Sequence, residues 1–174
     1  MNIRTAETDE KDKIRRFYNH MIELNEGTEH DIGWKKDVYP AEDLLTESLQ
    51  NGELYIGEND GHPVAAMILN GECPPEYDRV QWKVSCSSNE VLAIHVLSVT
   101  PEEFGKGYAK DMVRFAVERA RQKQCRAIRL DVIEGNEAAA GLYLKEGFEY
   151  IEDIQIYYEV TGTKTFRVFE YPIL

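Results

Sequence analysis

Two glycines one residue apart, Gly105 and Gly107, carry the most chemically informative spacing in the chain. They stand between an apolar run, Val91 to Val99, and a strongly periodic helical pattern. The first backbone N–H groups of a helix have no internal partners, and the helix dipole adds partial positive charge at the same end. Glycines let an anion come close to that backbone, and Lys106 and Lys110 add positive charge. The stretch therefore predicts a phosphate or pyrophosphate site.

The loop FGKGYAK differs from the two common nucleotide-binding loops. A P-loop would need its first glycine at Thr100, five positions before Gly105, and Ser or Thr at Gly107. The dinucleotide fingerprint needs a third glycine that this loop does not have. What remains is a backbone anion site, or turn chemistry alone, since glycines before a helix also serve turns.

Hydrophobic periodicity predicts the elements that position this loop. We expect an N-terminal edge strand, a helix capped by Thr8, a second helix opened by Pro40 and a hairpin turning at Asn59-Asp60-Gly61. A long loop, a buried strand and the helix after the glycines follow. The strand at 126–133 follows that helix closely. Because strand, helix and strand succeed one another within a short segment, we expect the strands at 91–99 and 126–133 to be parallel. The predicted ranges are strands at 2–6, 54–57, 64–69, 91–99, 126–133, 150–160 and 166–171, a loop at 74–89, and a short helix from Asn136 to Gly147.

Composition excludes several classes of protein. At 174 residues, with 43% hydrophobic and 30% charged residues, the chain suits one globular domain over 1–174. A net charge of −12 argues against general nucleic-acid binding, which needs cationic contacts to phosphate. No apolar run approaches the roughly 20 residues of a membrane span, and the N-terminus has no apolar signal-peptide core. Three widely spaced cysteines suggest neither disulfides nor a metal site, so we expect a cytoplasmic protein with no metal.

Two blocks together strongly resemble the GNAT family of N-acetyltransferases. The first block matches the family's V-x-P-x-x-R-G-x-G-x-A pattern except at Phe104, where the family has Arg or Gln. The second reads N-x-x-A-x-x-L-Y-x-x-x-G-F, and the specific motifs extend over 91–148. The matching residues are Val99, Pro101, Gly105, Gly107 and Ala109 in the first block, and Asn136, Ala139, Leu142, Tyr143, Gly147 and Phe148 in the second.

The resemblance implies a fold. It predicts a GNAT-like α/β (α+β) domain with a central mixed, mostly antiparallel sheet of about six or seven strands. Helices would cover both faces, and the central parallel strand pair would be splayed. A bulge that splays the 91–99 strand from the 126–133 strand would leave backbone groups free for a ligand.

The resemblance also implies acetyl-CoA as co-substrate and gives roles to individual residues. The pantetheine arm would pair with backbone near Leu97 and Val99, and Asn136 would face it, either instead of or as well as capping a helix. Tyr143 would protonate the departing thiolate as a general acid; the alternative is a buried aromatic residue. Backbone N–H groups of the loop would hold the pyrophosphate, and the loop residues are Phe104, Gly105, Lys106, Gly107, Tyr108, Ala109 and Lys110.

Acetyl transfer needs a neutral acceptor amine, hence a proton acceptor near the middle strands. His95 has the strand parity of Leu97 and Val99, and its ordinary pKa suits the role. A histidine in an apolar strand is also commonly a core residue. The other candidates are Asp78, Glu90, Glu134 and the C-terminal carboxylate.

We therefore expect an enzyme that transfers an acetyl group from acetyl-CoA to a primary amine by direct attack in a ternary complex. The acceptor would be a small-molecule amine or a peptide or protein amine, with no nucleic acid or membrane partner. The alternative is a non-catalytic module that binds CoA or acyl-CoA. A third reading is transfer of a longer acyl chain, or transfer to a hydroxyl. The final strands could also pair two copies into a homodimer.

Overall fold

The computed structural model describes residues 1–173, which contain seven strands and four α-helices. The sheet order is β1-β2-β3-β4-β5-β7-β6, with β4 parallel to β5 and antiparallel register for β1–β2, β2–β3, β5–β7 and β6–β7. The predicted mixed sheet with one parallel strand pair is therefore confirmed. In chain order the elements are β1 (Asn2–Thr5), α1 (Lys11–Asn25), α2 (Glu42–Gln50), β2 (Leu54–Asn59), β3 (His62–Asn70), β4 (Val91–Val99), α3 (Tyr108–Gln122), β5 (Ala127–Ile133), α4 (Glu137–Lys145), β6 (Glu149–Tyr158) and β7 (Gly162–Pro172).

The chain divides into two compact units. The first contains residues 1–69 and 95–112, and the second contains 70–94 and the chain from Val113 onward. Strand β4 and helix α3 each contribute to both units, with divisions after Ile94 and Met112. None of the helices in residues 1–173 has the length and apolar character that a bilayer span requires.

The first unit is built around the apolar face of α1. Spacings of three and four residues place its buried side chains on one stripe, as expected for a helix packed on a core. Leu24, three residues after Met21, is 42% exposed, whereas Ile22 is buried. The cluster comprises Ala6, Ile14, Phe17, Tyr18, Met21, Ile22, Leu45, Leu49, Leu54, Ile56, Ala66, Ile68 and Val96.

The starts of the first two helices differ from the sequence prediction. Thr8 does not cap α1; Glu7 and Glu10 form a capping box around a short 3-10 turn, and α1 begins after it. Pro40 does not open α2, which begins two residues later at Glu42. The hairpin prediction is confirmed, because Asp60 and Gly61 have φ of 50° and 76°, as a two-residue turn of right-twisted strands requires.

In the second unit, a buried ion pair holds the long connection between β3 and β4. The fully buried carboxylate of Glu170 accepts the backbone N–H groups of Lys83 and Val84 at 3.0 Å each and Arg129 Nε at 3.1 Å. Arg129 donates to the Val84 carbonyl at 2.8 Å and lies 4.3 Å from the Trp82 ring centroid. A buried charge is tolerated when it is paired and hydrogen-bonded in this way. The connection is therefore an ordered part of the second unit.

Candidate active site

Strand β4 departs from regular geometry at Val96, in the first unit. Val96 has a φ of 48°, which is rare for a β-branched residue and marks backbone strain. Its carbonyl accepts the buried Tyr18 hydroxyl at 3.0 Å, and the Ser98 hydroxyl lies at 3.3 Å from the same oxygen. The predicted irregularity in this strand is thus present, and α1 supplies the side chain that holds it.

His95 and Leu97 lie on either side of the distorted residue. Both are partly exposed, whereas Val96 and Val99 are buried. A left-handed residue interrupts the pleat, so shared parity between His95 and Leu97 no longer follows from their spacing alone. The catalytic role of His95 stays a prediction.

The glycine loop has the backbone geometry that an anion site needs. Gly105 and Gly107 have φ of 79° and 86°, which side chains rarely adopt, and a Cβ on Gly105 would meet no atom within 4 Å. Asp111 makes the first bond of α3, donating to the Gly107 carbonyl at 3.0 Å. The N–H groups at residues 107–110 consequently have no acceptor within the helix.

The two lysines of the loop differ in their surroundings. Lys110 extends over Gly107, with its Nζ 3.8 Å from the position that a Cβ there would occupy. Lys106 instead donates to Glu103 at 2.9 Å, and this hydrogen bond holds the pKa of the lysine above its ordinary value. An exposed pair of this kind contributes little stability, so Lys106 can exchange partners at small cost.

Phe104, the residue that breaks the family pattern, is 44% exposed. Its ring meets His30 edge to face, with centroids 5.2 Å apart. Four residues after Phe104, the Tyr108 hydroxyl accepts a hydrogen bond from the Asn59 side-chain amide at 2.8 Å, and this bond fixes the start of α3. The substitution therefore removes a polar side chain and leaves the loop's backbone donors in place.

In the second unit, α4 carries the other motif residues. Asn136 caps this helix, because its side-chain oxygen accepts the Ala139 N–H at 3.2 Å, and Gly147 follows the helix with a φ of 94°. Tyr143 is buried, with its ring centroid 5.4 Å from that of Phe148 and 6.4 Å from that of Phe169. The capping role of Asn136 and the buried position of Tyr143 are both present, and neither prevents a functional role.

Tyr143 is held in its protonated form. Burial and the negative charge of Asp131 both raise the pKa of its phenol well above the ordinary value. A phenol that keeps its proton at neutral pH can donate it, which a general acid must do.

The second unit also contains a polar cluster that the sequence did not predict. Asp131 on β5 accepts the Tyr77 hydroxyl at 2.8 Å and the Tyr158 hydroxyl at 3.2 Å, both at Oδ2. Burial raises the pKa of Asp131 to about 6, although the two hydrogen bonds act to lower it. The signal was available in the sequence, since Asp131 is the one acidic residue in the apolar strand AIRLDVI.

The remaining candidates for a base or nucleophile have less suitable surroundings. Asp78 and Glu134 are exposed, Glu90 closes a capping box with Ser87, and the C-terminal carboxylate belongs to residue 174, outside the described residues.

Burial raises the pKa of the free thiols of Cys73, Cys86 and Cys125, to about 11 for Cys73, which disfavours the reactive thiolate. Among residues 1–173, no three His, Cys, Asp or Glu side chains converge as metal ligands would.

Comparison with known proteins agrees with the motifs. The model of the acetyltransferase (GNAT) family matches residues 15–148. The uncharacterized N-acetyltransferase YesJ of Bacillus subtilis (strain 168) is 24% identical over 107 residues, which are 62% of this chain and 58% of that protein, so the match spans less than two thirds of its length.

Solved structures share the fold along nearly the whole chain. A GNAT-family acetyltransferase of Streptococcus agalactiae 2603 superposes with a TM-score of 0.80 at 20% identity, covering 98% of this chain and 94% of that one. Ribosomal-protein-alanine N-acetyltransferase of Brucella melitensis superposes with a TM-score of 0.72 at 17% identity, and the match covers 99% of each chain. The yncA protein of Salmonella typhimurium, a putative acetyltransferase solved with its cofactor acetyl-CoA, superposes with a TM-score of 0.68 at 15% identity. The match covers 99% of this chain and 94% of that one. With a family model matched over most of its length, this chain belongs to the GNAT family of acetyltransferases.

Proposed function

We propose that the protein is an acetyl-CoA-dependent N-acetyltransferase that moves the acetyl group to a primary amine by direct attack in a ternary complex. The observation that supports this most strongly is the glycine loop. Gly105 and Gly107 have left-handed backbones at the start of α3, within the motif that family members share. Such a loop favours a pyrophosphate group over a neutral ligand.

The residues of the loop fit the phosphates of acetyl-CoA. The N–H groups at 107–110 would donate to the pyrophosphate, and Lys110 would add a cation. We propose the same role for the backbone of Gly105, whereas the N–H groups of Phe104 and Lys106 donate to the Pro101 and Glu103 carbonyls at 3.1 and 3.4 Å and would have to leave these acceptors to bind a phosphate. Support comes from the yncA structure, which shares the fold and contains acetyl-CoA.

Further roles are proposed for residues of the two motif blocks. Backbone groups near Leu97 and Val99 would pair with the pantetheine arm, which is compatible with the irregular backbone at Val96. Asn136, with its oxygen used in the cap, retains its amide N–H groups as donors to that arm.

Tyr143 is proposed as the general acid. Acetyl-CoA supplies an acetyl thioester, whose sulfur must leave as a thiolate and gain a proton. The raised pKa of Tyr143 keeps that proton on the phenol until it is needed. The raised pKa of the cysteines disfavours an acetyl-cysteine intermediate and supports direct attack by the amine. His95 is the proton acceptor proposed from the sequence.

The acceptor is proposed only as a class, a small-molecule amine or a peptide or protein amine. The net charge of −12 would favour a cationic amine through long-range attraction. Among structures with the same fold, the Brucella melitensis protein is a ribosomal-protein-alanine N-acetyltransferase, so a protein N-terminus belongs in any acceptor panel. The homodimer also remains a proposal; β6, at the edge of the sheet, is the strand that could pair.

The test combines binding with turnover. Isothermal titration measures acetyl-CoA affinity, and a thiol-release assay measures transfer to spermidine, kanamycin, lysine and an alanine-initiated peptide. Acetyl-CoA binding together with amine-dependent thiol release supports the proposal. Binding without release for any amine favours the non-catalytic CoA-binding module, and no binding rejects both.

A further inference from the structure

Strand β6 ends the sheet in the second unit, so that among residues 1–173 its outer side pairs with no further strand. It has ten residues, whereas β1, the first strand in the sheet order, has four. Its sequence EYIEDIQIYY contains no Lys or Pro, two residue types with which proteins commonly blunt such an edge. A register shift between Tyr150 and Glu152 leaves a regular stretch at 152–158. This stretch offers its backbone to another polypeptide.

The hydrogen bonds of β7 show which side of each residue faces β6. The Glu134 N–H donates to the Thr165 carbonyl at 3.0 Å, and the Ile173 N–H donates to the Arg126 carbonyl at 2.8 Å. Successive residues of an antiparallel strand direct their backbone groups to opposite sides. Odd-numbered residues of β7 therefore bond towards β5, and even-numbered residues bond towards β6.

The register of β6 and β7 then divides the residues of β6 into two sets. Phe166 stands opposite Ile154, and Lys164 stands opposite Ile156. Because these β7 residues are even-numbered, the backbone groups of Ile154 and Ile156 are bonded to β7. The residues that alternate with them direct their backbone groups away from the sheet.

The outward set comprises Asp153, Gln155 and Tyr157. Their side chains are exposed, that of Tyr157 to 64%. Each contributes one N–H donor and one C=O acceptor at the edge. Three residues in alternation are the pattern that an added strand needs for its ladder.

The charge of this edge is negative. Between residues 149 and 160 the chain has four acidic residues and no Lys, Arg or His. Glu149 forms an ion pair with Lys83. Glu152, Asp153 and Glu159 form no ion pair within residues 1–173. The edge therefore carries negative charge that the second unit does not neutralise.

This charge distinguishes between two possible occupants. A second copy of the chain would place the same acidic residues against one another, and each copy has a net charge of −12. The nearest cation across the register, Arg167 opposite Asp153, is itself paired with Glu137. A cationic strand would meet attraction in place of repulsion. The acidic residues thus protect the edge from self-pairing and favour a basic partner.

We propose that the outer edge of β6 binds an extended, Lys- or Arg-rich segment of a partner polypeptide as an added strand. The backbone groups of Asp153, Gln155 and Tyr157 form the ladder, which supplies affinity for any extended chain. The unpaired carboxylates select a cationic one. The site uses none of the residues proposed for acetyl-CoA, so it does not depend on the acetyl-transfer function above.

The first test measures binding without acetyl-CoA. The probe is a fluorescein-labelled peptide of five Lys-Thr repeats, followed by fluorescence anisotropy at low ionic strength. It should bind the wild-type protein, and the affinity should fall about tenfold between 0.05 and 0.5 M salt. The matching peptide of five Glu-Thr repeats should not bind. Equal binding of the two peptides would overturn the proposal.

Gln155→Pro tests whether the peptide uses the backbone of the edge. Proline removes the outward N–H, and it is tolerated on an edge strand where that N–H faces solvent. Affinity for the Lys-Thr peptide should fall about fivefold or more. The control is Gln155→Ala, which also removes the side-chain bond to Thr165 but keeps the N–H, and it should bind within about twofold of wild type. The same affinity in both variants would overturn the added-strand geometry.

Glu159→Gln tests the charge selection. The affinity for the Lys-Thr peptide should fall about twofold to threefold at low ionic strength, and the difference should disappear at high salt. Glu118→Gln makes the same charge change on the exposed surface of α3 and should have no effect. An equal loss in both variants would assign the attraction to net charge and overturn the role of this edge.

Amide hydrogen exchange locates the peptide in the wild-type protein. Binding should slow exchange at Asp153, Gln155 and Tyr157, whereas Ile154 and Ile156 are protected by β7 with or without the peptide. Unchanged exchange at all three outward amides would overturn the proposal, and this measurement also decides if Gln155→Pro does not fold. Sedimentation tests the other occupant: a wild-type dimer that becomes a monomer in Gln155→Pro would assign the edge to a second copy and overturn the basic partner.

Discussion

The glycine loop and the Asp131 cluster are built from different parts of the polypeptide. The loop uses backbone N–H groups at the start of α3, and its geometry follows from Gly105 and Gly107, which are neighbours in sequence. The cluster uses side chains that come from the β3–β4 connection, β5 and β6. Replacement of a side chain leaves the N–H groups at residues 107–110 in place, whereas the cluster loses a hydrogen bond when either Tyr77 or Tyr158 is replaced. The two regions therefore differ in how strongly a single side-chain substitution should affect them.

Tyr143→Phe should give the largest effect, because it removes the side chain that is proposed to protonate the leaving thiolate. Removing the phenol proton should lower kcat by about 10²–10⁴-fold and leave the Kd for acetyl-CoA within about twofold. Stopped-flow thiol release and isothermal titration measure the two quantities. Tyr150→Phe, an exposed tyrosine of the same unit, is the control and should behave as wild type. Unchanged turnover in Tyr143→Phe would remove the general-acid assignment.

Gly107→Val tests the backbone site in the same way. A β-branched residue at a φ of 86° is strained, and its side chain would also displace Lys110 from above the loop. Acetyl-CoA affinity should fall by about tenfold or more, equivalent to about 1.4 kcal/mol. Gly27→Val introduces the same strain at a φ of 70° in open space and should not change the affinity. Equal affinity in both variants would show that the loop does not bind the phosphates.

Tyr18→Phe examines the support of β4 in the first unit. The buried Val96 carbonyl loses its 3.0 Å donor, so the free energy of unfolding should fall by about 1–2 kcal/mol in urea denaturation. The Val96 backbone then relaxes more easily, and acetyl-CoA affinity should weaken together with stability. Tyr157→Phe, at a side chain that is 64% exposed, should change stability by less than about 0.5 kcal/mol. A stable Tyr18→Phe protein would mean that this hydrogen bond does not hold the strand.

Glu103→Gln should produce the smallest change, and in the opposite direction. It releases Lys106 from its ion pair and removes a negative charge beside the loop, so acetyl-CoA should bind about twofold more tightly at low ionic strength. Because the charges are exposed, the gain should disappear near 1 M salt. Glu47→Gln makes the same charge change on the exposed surface of α2 and controls for net charge. A gain that persists at high salt would point to a cause other than electrostatics.

Local patterns in the sequence predicted the features that depend on neighbours along the chain. Periodicity gave the helices and strands, the Asp60-Gly61 pair gave the hairpin, and Gly147 gave the end of α4. Helix starts were less predictable, because the cap of the first turn involves Glu10, which accepts the Glu7 N–H and is also paired with Arg4 and Lys13. A residue with three competing partners cannot be assigned from adjacent sequence.

The sequence by itself determined the family and the conformation of the glycine loop, since both rest on residue types at fixed short spacings that local backbone geometry turns into structure. The tertiary structure decided which polar groups meet. Only folding brings residues 54 and 27 positions from Asp131 into hydrogen-bonding distance of its carboxylate, and only burial in that setting raises its pKa to about 6. Spacing specifies local geometry, whereas desolvation and long-range contacts, which set the chemistry of a side chain, exist only in the folded chain.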